Sequence, residues 1–294
     1  MANSKVSHAT DQGLKTTLIS ILANALLAIV KGIAGIFGNS YALIADAIES
    51  TSDIFSSLIV WAGLKVASKG PDSDHPYGHG KAEPLATIVV ALLLIGAAIL
   101  IAIQSVKNIL TPHKVPAPFT LVVLGGVIVL KEFLFRRINQ TGKQINSTAV
   151  KADAWHHRSD AITSFTAFLG ITIALIGGEG YENADDWAAL IASVIIVFNA
   201  YHIFIPAMGE IMDVAPPEEI LDGIRQVAMQ VEGVRGLDKA LVRKMGFEYF
   251  VDLHVLVDGH LSVKEGHRIA HQVKDAILLE NRQIYDVLIH IEPF

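Results

Sequence analysis

The chain has 294 residues, 52% of them hydrophobic and only 18% charged, with a net charge of −6. Soluble domains carry about 25% charge, so this composition points to a membrane and offers no electrostatic case for nucleic acid. Cysteine is absent, which excludes disulfides and thiolate metal sites and leaves His, Asp, Glu, carbonyls or water to hold any metal.

Met1–Gly13 is polar and lacks the apolar core and cleavage site of a secretory signal, so the first apolar stretch is expected to act as an uncleaved insertion signal. Crossing about 30 Å of hydrocarbon takes roughly 20 residues. Six stretches are predicted to do so: Leu14–Phe37, Ser40–Val66, Pro84–Ile109, Pro118–Phe135, Ala149–Ile176 and Trp187–Ala207. The fourth is the shortest and carries Lys131, which makes its limits the least defined. Lys5, Lys15, Lys65, Lys69, Lys81, Arg136, Arg137, Lys143 and Lys151 fall on one side of the membrane, against Lys107, Lys114 and an acidic segment at 178–186 on the other. Cationic loops stay inside, so both termini are expected in the cytoplasm, as in a bacterial inner (plasma) membrane protein.

The character changes after Ala207, giving two domains: 1–208, transmembrane, and 209–294, cytoplasmic. Pro216-Pro217-Glu218-Glu219 reads as a helix start, and Ile220, Ile224, Val227 and Val231 continue it. Ala240–Lys244 and Phe247–Val257 alternate as strands about a Met245-Gly246 turn. Val263–Leu279 has helical periodicity and Asp286–Ile291 reads as a last strand. The predicted fold class is an all-α six-helix transmembrane domain plus a small α+β cytoplasmic domain, ferredoxin-like in its αββαβ order.

Chemistry concentrates in two apolar spans. Glu49 and Asp53 lie four apart in the second, His156 and Asp160 four apart in the fifth. Residues at that spacing share one helix face, and Asp46 joins the stripe of the first pair. An ionisable group at membrane depth costs about 2.5–3.5 kcal/mol on insertion scales and marks an ion or proton path. Two facing pairs would form a four-ligand site of mixed imidazole and carboxylate, suited to tetrahedral Zn²⁺ and open to Fe²⁺, Mn²⁺, Co²⁺ or Cd²⁺. Asp153 and His157 read instead as interfacial polar residues near the cytoplasmic end, solvated or paired with Lys151 and Arg158, and Asp46 could line the opposite entrance.

In the loop after the second span, Asp72, His75 and His79 are spaced to close on one ion, since Pro76, Gly78 and Gly80 permit tight turns. A structural loop whose histidines bond backbone is the alternative. Gly78-His79-Gly80-Lys81 is no phosphate loop, because His75 stands where that motif needs glycine. With no other such motif, ATP is not expected as a partner.

The segments Ala45–Asp53, His75–Glu83 and Trp155–Asp160 resemble the cation diffusion facilitator family, and the resemblance extends over nearly the whole chain. It implies a homodimer that exports divalent metal from the cytoplasm with protons as counter-substrate. It also implies a peripheral metal site at Asp72, His75 and His79, an ion pair between Lys81 and Asp213, and a cytoplasmic metal site of Asp238, His254, His267, His290 and Glu292 at the dimer interface, with metal there as a regulatory ligand. A simple snorkelling role for Lys81 stays open. Family members take Asp or His at the position of Glu49, so glutamate there is a departure that bears on which metal is carried. His260 and His271 read as surface histidines.

The expected function is therefore proton-coupled efflux of a divalent transition metal, Zn²⁺ first, by alternating access. Protonation of His156, with an ordinary pKa of about 6.5, would aid release. The alternative is a metal-responsive membrane sensor or buffer without transport. A channel would tolerate weaker multi-site binding, and no nucleophile–base pair points to an enzyme.

Overall fold

The computed structural model describes the backbone of residues 2–37, 41–110, 117–177, 180–181 and 183–294; among these, the side chains of residues 2–10, 34, 35, 37, 41–49, 52, 163, 167, 174 and 185 lie outside the description. The chain divides into two compact units. One comprises Thr10–Val66 and Ala82–Met208, the other Met1–Ala9, Ala67–Lys81 and Gly209–Phe294.

The first unit is built from long helices: α1 (Ala2–Phe37), α2 (Tyr41–Ala67), α3 (Ala82–Leu110), α4 (Thr120–Gln144), α5 (Thr148–Gly177) and α6 (Ala184–Ile211). Four stretches among the described residues, Asp11–Ile33, Ala82–Leu110, Thr148–Gly177 and Asp186–Ile211, are long and apolar enough to cross a membrane. The other two helices, α2 and α4, carry acids or cations along their length, with Asp46, Glu49 and Asp53 on one and Lys131 and Glu132 on the other. Leu22, Leu26 and Ile29 on α1, Leu100 and Ile103 on α3, and Val122 and Val129 on α4 are exposed at helical spacing. Surfaces of that kind belong against lipid tails, where their exposure carries no hydrophobic penalty.

Two local devices position the helices that carry the site. A Cβ added to Gly63 on α2 would meet the Cβ of Ala86 on α3 at 2.4 Å, so only glycine lets these helices approach so closely. Between α4 and α5, Asn146 takes a left-handed φ of 54°, which asparagine tolerates better than most residues. Ser147 then caps α5: its Oγ accepts from Val150 N at 3.1 Å and donates to Glu83 Oε1 at 2.6 Å. That same oxygen accepts from Ala149 N at 3.2 Å. The fully buried Glu83 of α3 thereby answers the unpaired amides and positive end of the α5 N-terminus.

The second unit holds α7 (Glu218–Met229), β1 (Gly236–Met245), β2 (Glu248–Val257), α8 (Val263–Glu280) and β3 (Ile284–Pro293). The sheet runs β1-β2-β3, antiparallel between β1 and β2 and parallel between β2 and β3. Along β2 buried and half-buried residues alternate strictly. Tyr249, Val251, Leu253, Val255 and Val257 join a core with Ile224 of α7 and Ile269, Val273 and Ile277 of α8. The opposite face of the sheet carries Phe250, Asp252, His254 and Leu256. Strand β1 begins at Gly236, four residues before the sequence alternation suggests, because a bulge between Leu237 and Ala240 breaks the period of two. A capping box starts α8: Ser262 Oγ accepts from Glu265 N while Glu265 bonds Ser262 N at 3.0 Å.

Loop 67–81 packs in this second unit. A Cβ at Gly80 would lie 2.7 Å from the carbonyl carbon of Met245, so glycine allows the loop to rest on the β1–β2 turn, where Gly246 has a φ of 64°. Tyr77 stacks edge-on to Phe250 with centroids 6.1 Å apart, and the Arg243 guanidinium lies over its ring. Lys81 Nζ donates to Asp213 Oδ1 at 2.6 Å and to the Glu210 carbonyl.

Candidate metal centre

Two helices of the first unit bring acid and imidazole together. On α5, His156 and Asp160 stand one turn apart; on α2, Asp53 faces them. His156 Nε2 lies 2.9 Å from Asp53 Oδ1 and 3.8 Å from Asp160 Oδ2. One ligand atom from each of Asp53, His156 and Asp160 falls within 4.8 Å of the other two. Asp53 and His156 are buried, at 4% and 6% exposure. The side chain of Glu49, and that of Asp46, lies outside the described residues.

Lys131 of α4 completes this group. Fully buried, it donates to Asp160 Oδ2 at 2.7 Å, to Asn24 Oδ1 at 2.9 Å and to Asp53 Oδ2 at 3.0 Å. Sequence reasoning treats this lysine as a blemish on a short span. A lone cation inside an apolar run is itself the signal that finds it, since such groups face a bundle interior and seek acids.

A second polar set adjoins the first. Asp153 accepts from Ser20 Oγ at 2.6 Å and from Ser57 Oγ at 2.9 Å, and His157 Nε2 lies 3.0 Å from Ser20 Oγ. Asp153 and His157 are buried at 1% and 0% exposure. This corrects the reading of both as solvated interfacial residues: hydroxyls from α1 and α2 satisfy them inside the bundle, and Arg158 instead stacks over Phe135 and Trp155. Serine in an apolar helix leaves little trace in a hydropathy pattern, so these partners were illegible.

A cavity of about 830 Å³ opens beside the acids, lined by Asp53, His156, Ser159 and Asp160 and by apolar side chains of α3 from Leu92 through Leu100 to Gln104. At 1.5 Å per residue, that stretch of α3 carries the cavity about 18 Å along the helix from Leu92 toward its C-terminal end.

Two further clusters lie in the second unit. In the loop, Asp72 Oδ1 accepts from His75 N at 2.7 Å and from Asp74 N at 3.0 Å, with His75 Nδ1 at 3.3 Å and His79 Nε2 3.5 Å from Oδ2. The His75 backbone bond, ahead of the others, holds the Asp72 carboxyl below the ordinary carboxylate range. On the open sheet face, His254 of β2 and His290 of β3 are register partners. Glu292 Oε1 sits 2.6 Å from His254 Nδ1 and 3.6 Å from His290 Nε2.

The other two residues assigned to that site, His267 and Asp238, fall outside this three-ligand cluster. His267 lies on α8, the layer against the opposite sheet face, with its Nε2 3.1 Å from His271 Nε2. Asp238 lies in the β1 bulge, 3.9 Å from Lys239. His271, read as an isolated surface histidine, is thus the neighbour of His267. Helix layering separates His267 from the cluster, whereas the bulge sets Asp238 opposite His254 in the β1–β2 register.

A helical membrane unit with buried acids, a lysine and a histidine, followed by a small α/β unit bearing exposed histidine–carboxylate clusters, defines a class of ion-handling membrane protein. Comparison with known families gives its name: residues 17–212 match the cation efflux transmembrane domain and residues 216–294 the cytoplasmic domain of cation efflux proteins. The chain belongs to the cation efflux, or cation diffusion facilitator, family, whose members are integral membrane transporters. It is 31% identical to the manganese efflux system protein MneP of Bacillus subtilis (strain 168), over 95% of this chain and 96% of that protein. It is 31% identical to metal tolerance protein C1 of Arabidopsis thaliana over 96% of this chain, which spans 63% of that longer relative. The magnetosome protein MamB of Magnetospira sp. (strain QH-2) is 29% identical over 90% of this chain and 89% of its own length. A solved MamM C-terminal domain, 27% identical, covers 26% of this chain and 98% of its own, with a TM-score of 0.26.

Proposed function

We propose that this protein exports a divalent transition metal from the cytoplasm by alternating access, with Asp53, His156 and Asp160, joined by Glu49, as the carrier ligands. The observation that carries the reading is the convergence of three ligand atoms within 4.8 Å at the buried meeting of α2 and α5. One imidazole with carboxylates is a Zn²⁺ donor set at about 2.0–2.2 Å. The same oxygen-rich set takes Mn²⁺ or Fe²⁺, and the likeness to a manganese efflux protein favours Mn²⁺ as the second substrate to test.

Coordination needs a neutral imidazole and ionised carboxylates, so loading displaces protons and protonation promotes release. Protons then serve as the counter-substrate. The excess of Lys and Arg on the loops near α2, α4 and α5 supports a cytoplasmic location for both termini. Residues 1–208 form the transport domain and 209–294 the cytoplasmic domain of a homodimer. His254, His290 and Glu292 bind metal on the open sheet face, with Asp238 and His267 contributing where two copies meet. Asp72, His75 and His79 form the peripheral loop site.

Proteoliposomes with an enclosed metal dye and a pH probe test this. Zn²⁺ and Mn²⁺, run separately, should move against protons in the wild type and not in Asp53→Ala or Asp160→Ala. Equal flux from those variants overturns the carrier site, and metal binding without flux in the wild type favours a sensor.

A further inference from the structure

Lys131 spends all three of its N–H bonds on oxygens at the carrier site: Asp160 Oδ2, Asn24 Oδ1 and Asp53 Oδ2. Two of those oxygens belong to the carboxylates that, with His156, make up the three-ligand cluster. A divalent ion held between His156 Nε2, Asp53 Oδ1 and Asp160 Oδ2 at about 2.0–2.2 Å would share the Asp160 oxygen with the ammonium and lie beside it. Charge repulsion and that shared oxygen set the lysine and the metal in competition.

We propose that Lys131 is a tethered exchange cation: its ammonium pairs with Asp53 and Asp160 when they hold no metal, offsetting one of their two charges, and each arriving ion displaces it. The inference rests on the reading of these acids as carrier ligands. Two ionised carboxylates cannot stay unpaired at membrane depth while the bundle repacks, and a permanent counter-cation on α4 offsets one of these charges on the returning carrier, leaving the other to the proton counter-substrate. The compact ammonium on a flexible four-carbon stem can leave the acids without backbone motion. Asn24 on α1 is the neutral oxygen that keeps hold of it. Competition from the lysine lowers the affinity for the ion, and that same competition speeds release. Lys131 is thus a residue that sets the balance between holding and letting go.

The test uses full-length protein. Metal affinity is measured by calorimetry in lipid nanodiscs and flux in proteoliposomes, each with Zn²⁺ and with Mn²⁺. Lys131→Met and Lys131→Gln should bind metal at least about tenfold more tightly, because a neighbouring positive charge is gone, while maximal flux falls by about tenfold as release slows. In wild-type protein labelled with ¹⁵N at lysine, adding metal should shift an isotope-sensitive ammonium band in the infrared difference spectrum, and this band should survive even where the variants do not fold. Asp53→Asn separates the two readings. If it keeps wild-type flux, the carrier site itself fails and the lysine's role with it. If it loses flux while the lysine variants change affinity and flux by less than about twofold, the site stands and the exchange role is overturned. Weaker metal binding in folded Lys131→Met, or no lysine band on metal addition, overturns it as well.

Discussion

Asp53 holds two partners at once, His156 on one carboxylate oxygen and Lys131 on the other. Replacing it with asparagine keeps its shape and removes the charge that pairs both. Loss of an outer-shell partner alone lowers metal affinity about 10–100-fold, so Asp53→Asn, which changes a direct ligand, should lose at least about 100-fold, read by calorimetry on the full chain. Glu248, outside the membrane helices, gives a pH prediction. Burial lifts its carboxyl from 4.5 to about 7, so the folded chain binds that proton more tightly than the unfolded one. The linked stability is fully present below pH 4.5 and is lost as pH rises through about 7. With the side chain partly exposed, solvent screening limits the loss to about 1 kcal/mol or less. Glu248→Gln should flatten that decline between pH 5 and 8 in thermal unfolding of its domain in the whole protein; an unchanged slope counts against the burial argument.

At the scale of elements, helix ends are where single polar groups decide geometry. Glu83 ties the start of α3 to the start of α5 through Ser147 Oγ and Ala149 N, and α5 carries His156 and Asp160. Glu83→Ala strands a buried hydroxyl and a helix-end amide, which costs about 1–3 kcal/mol. The expected result is a lower melting temperature together with reduced metal affinity, because the α5 ligands lose their register against Asp53. A variant that melts lower but binds normally would show that α4, packed along α5, sets that register alone. The Ser262–Glu265 box on α8 serves the second unit in the same way. Ser262→Ala should cost about 1 kcal/mol with no change in transport.

For the whole molecule, the sheet face opposite α7 and α8 is the surface to watch. Leu288 is 67% exposed on the β3 face that also bears His290 and Glu292. Metal joining His254, His290 and Glu292 there should tighten association of two copies. Sedimentation of the full chain should show a dimer strengthened by Zn²⁺ and loosened by a chelator, with His254→Ala/Glu292→Ala insensitive to both. A dimer equally stable in the double variant with and without metal would remove the metal from that interface.

The sequence by itself determined the membrane character, the αββαβ order of the second unit and the helical pairing of His156 with Asp160. Each follows from a period or a composition readable along one segment: apolar length, alternation of two, spacing of four. Even the bulge in β1 cost only the strand's first residues. What only the tertiary structure decided is which side chains from different elements meet. Lys131, Ser20 and Ser57 sit on helices α4, α1 and α2, between 29 and 133 residues from the acids they bond, and Asn24 lies 107 residues from Lys131; no local pattern records such partners. The separation of His267 from His254 has the same origin, since which layer a helix covers is settled by packing. Pairing of charges in a medium without water is a contact energy, and contacts exist only once the chain has folded.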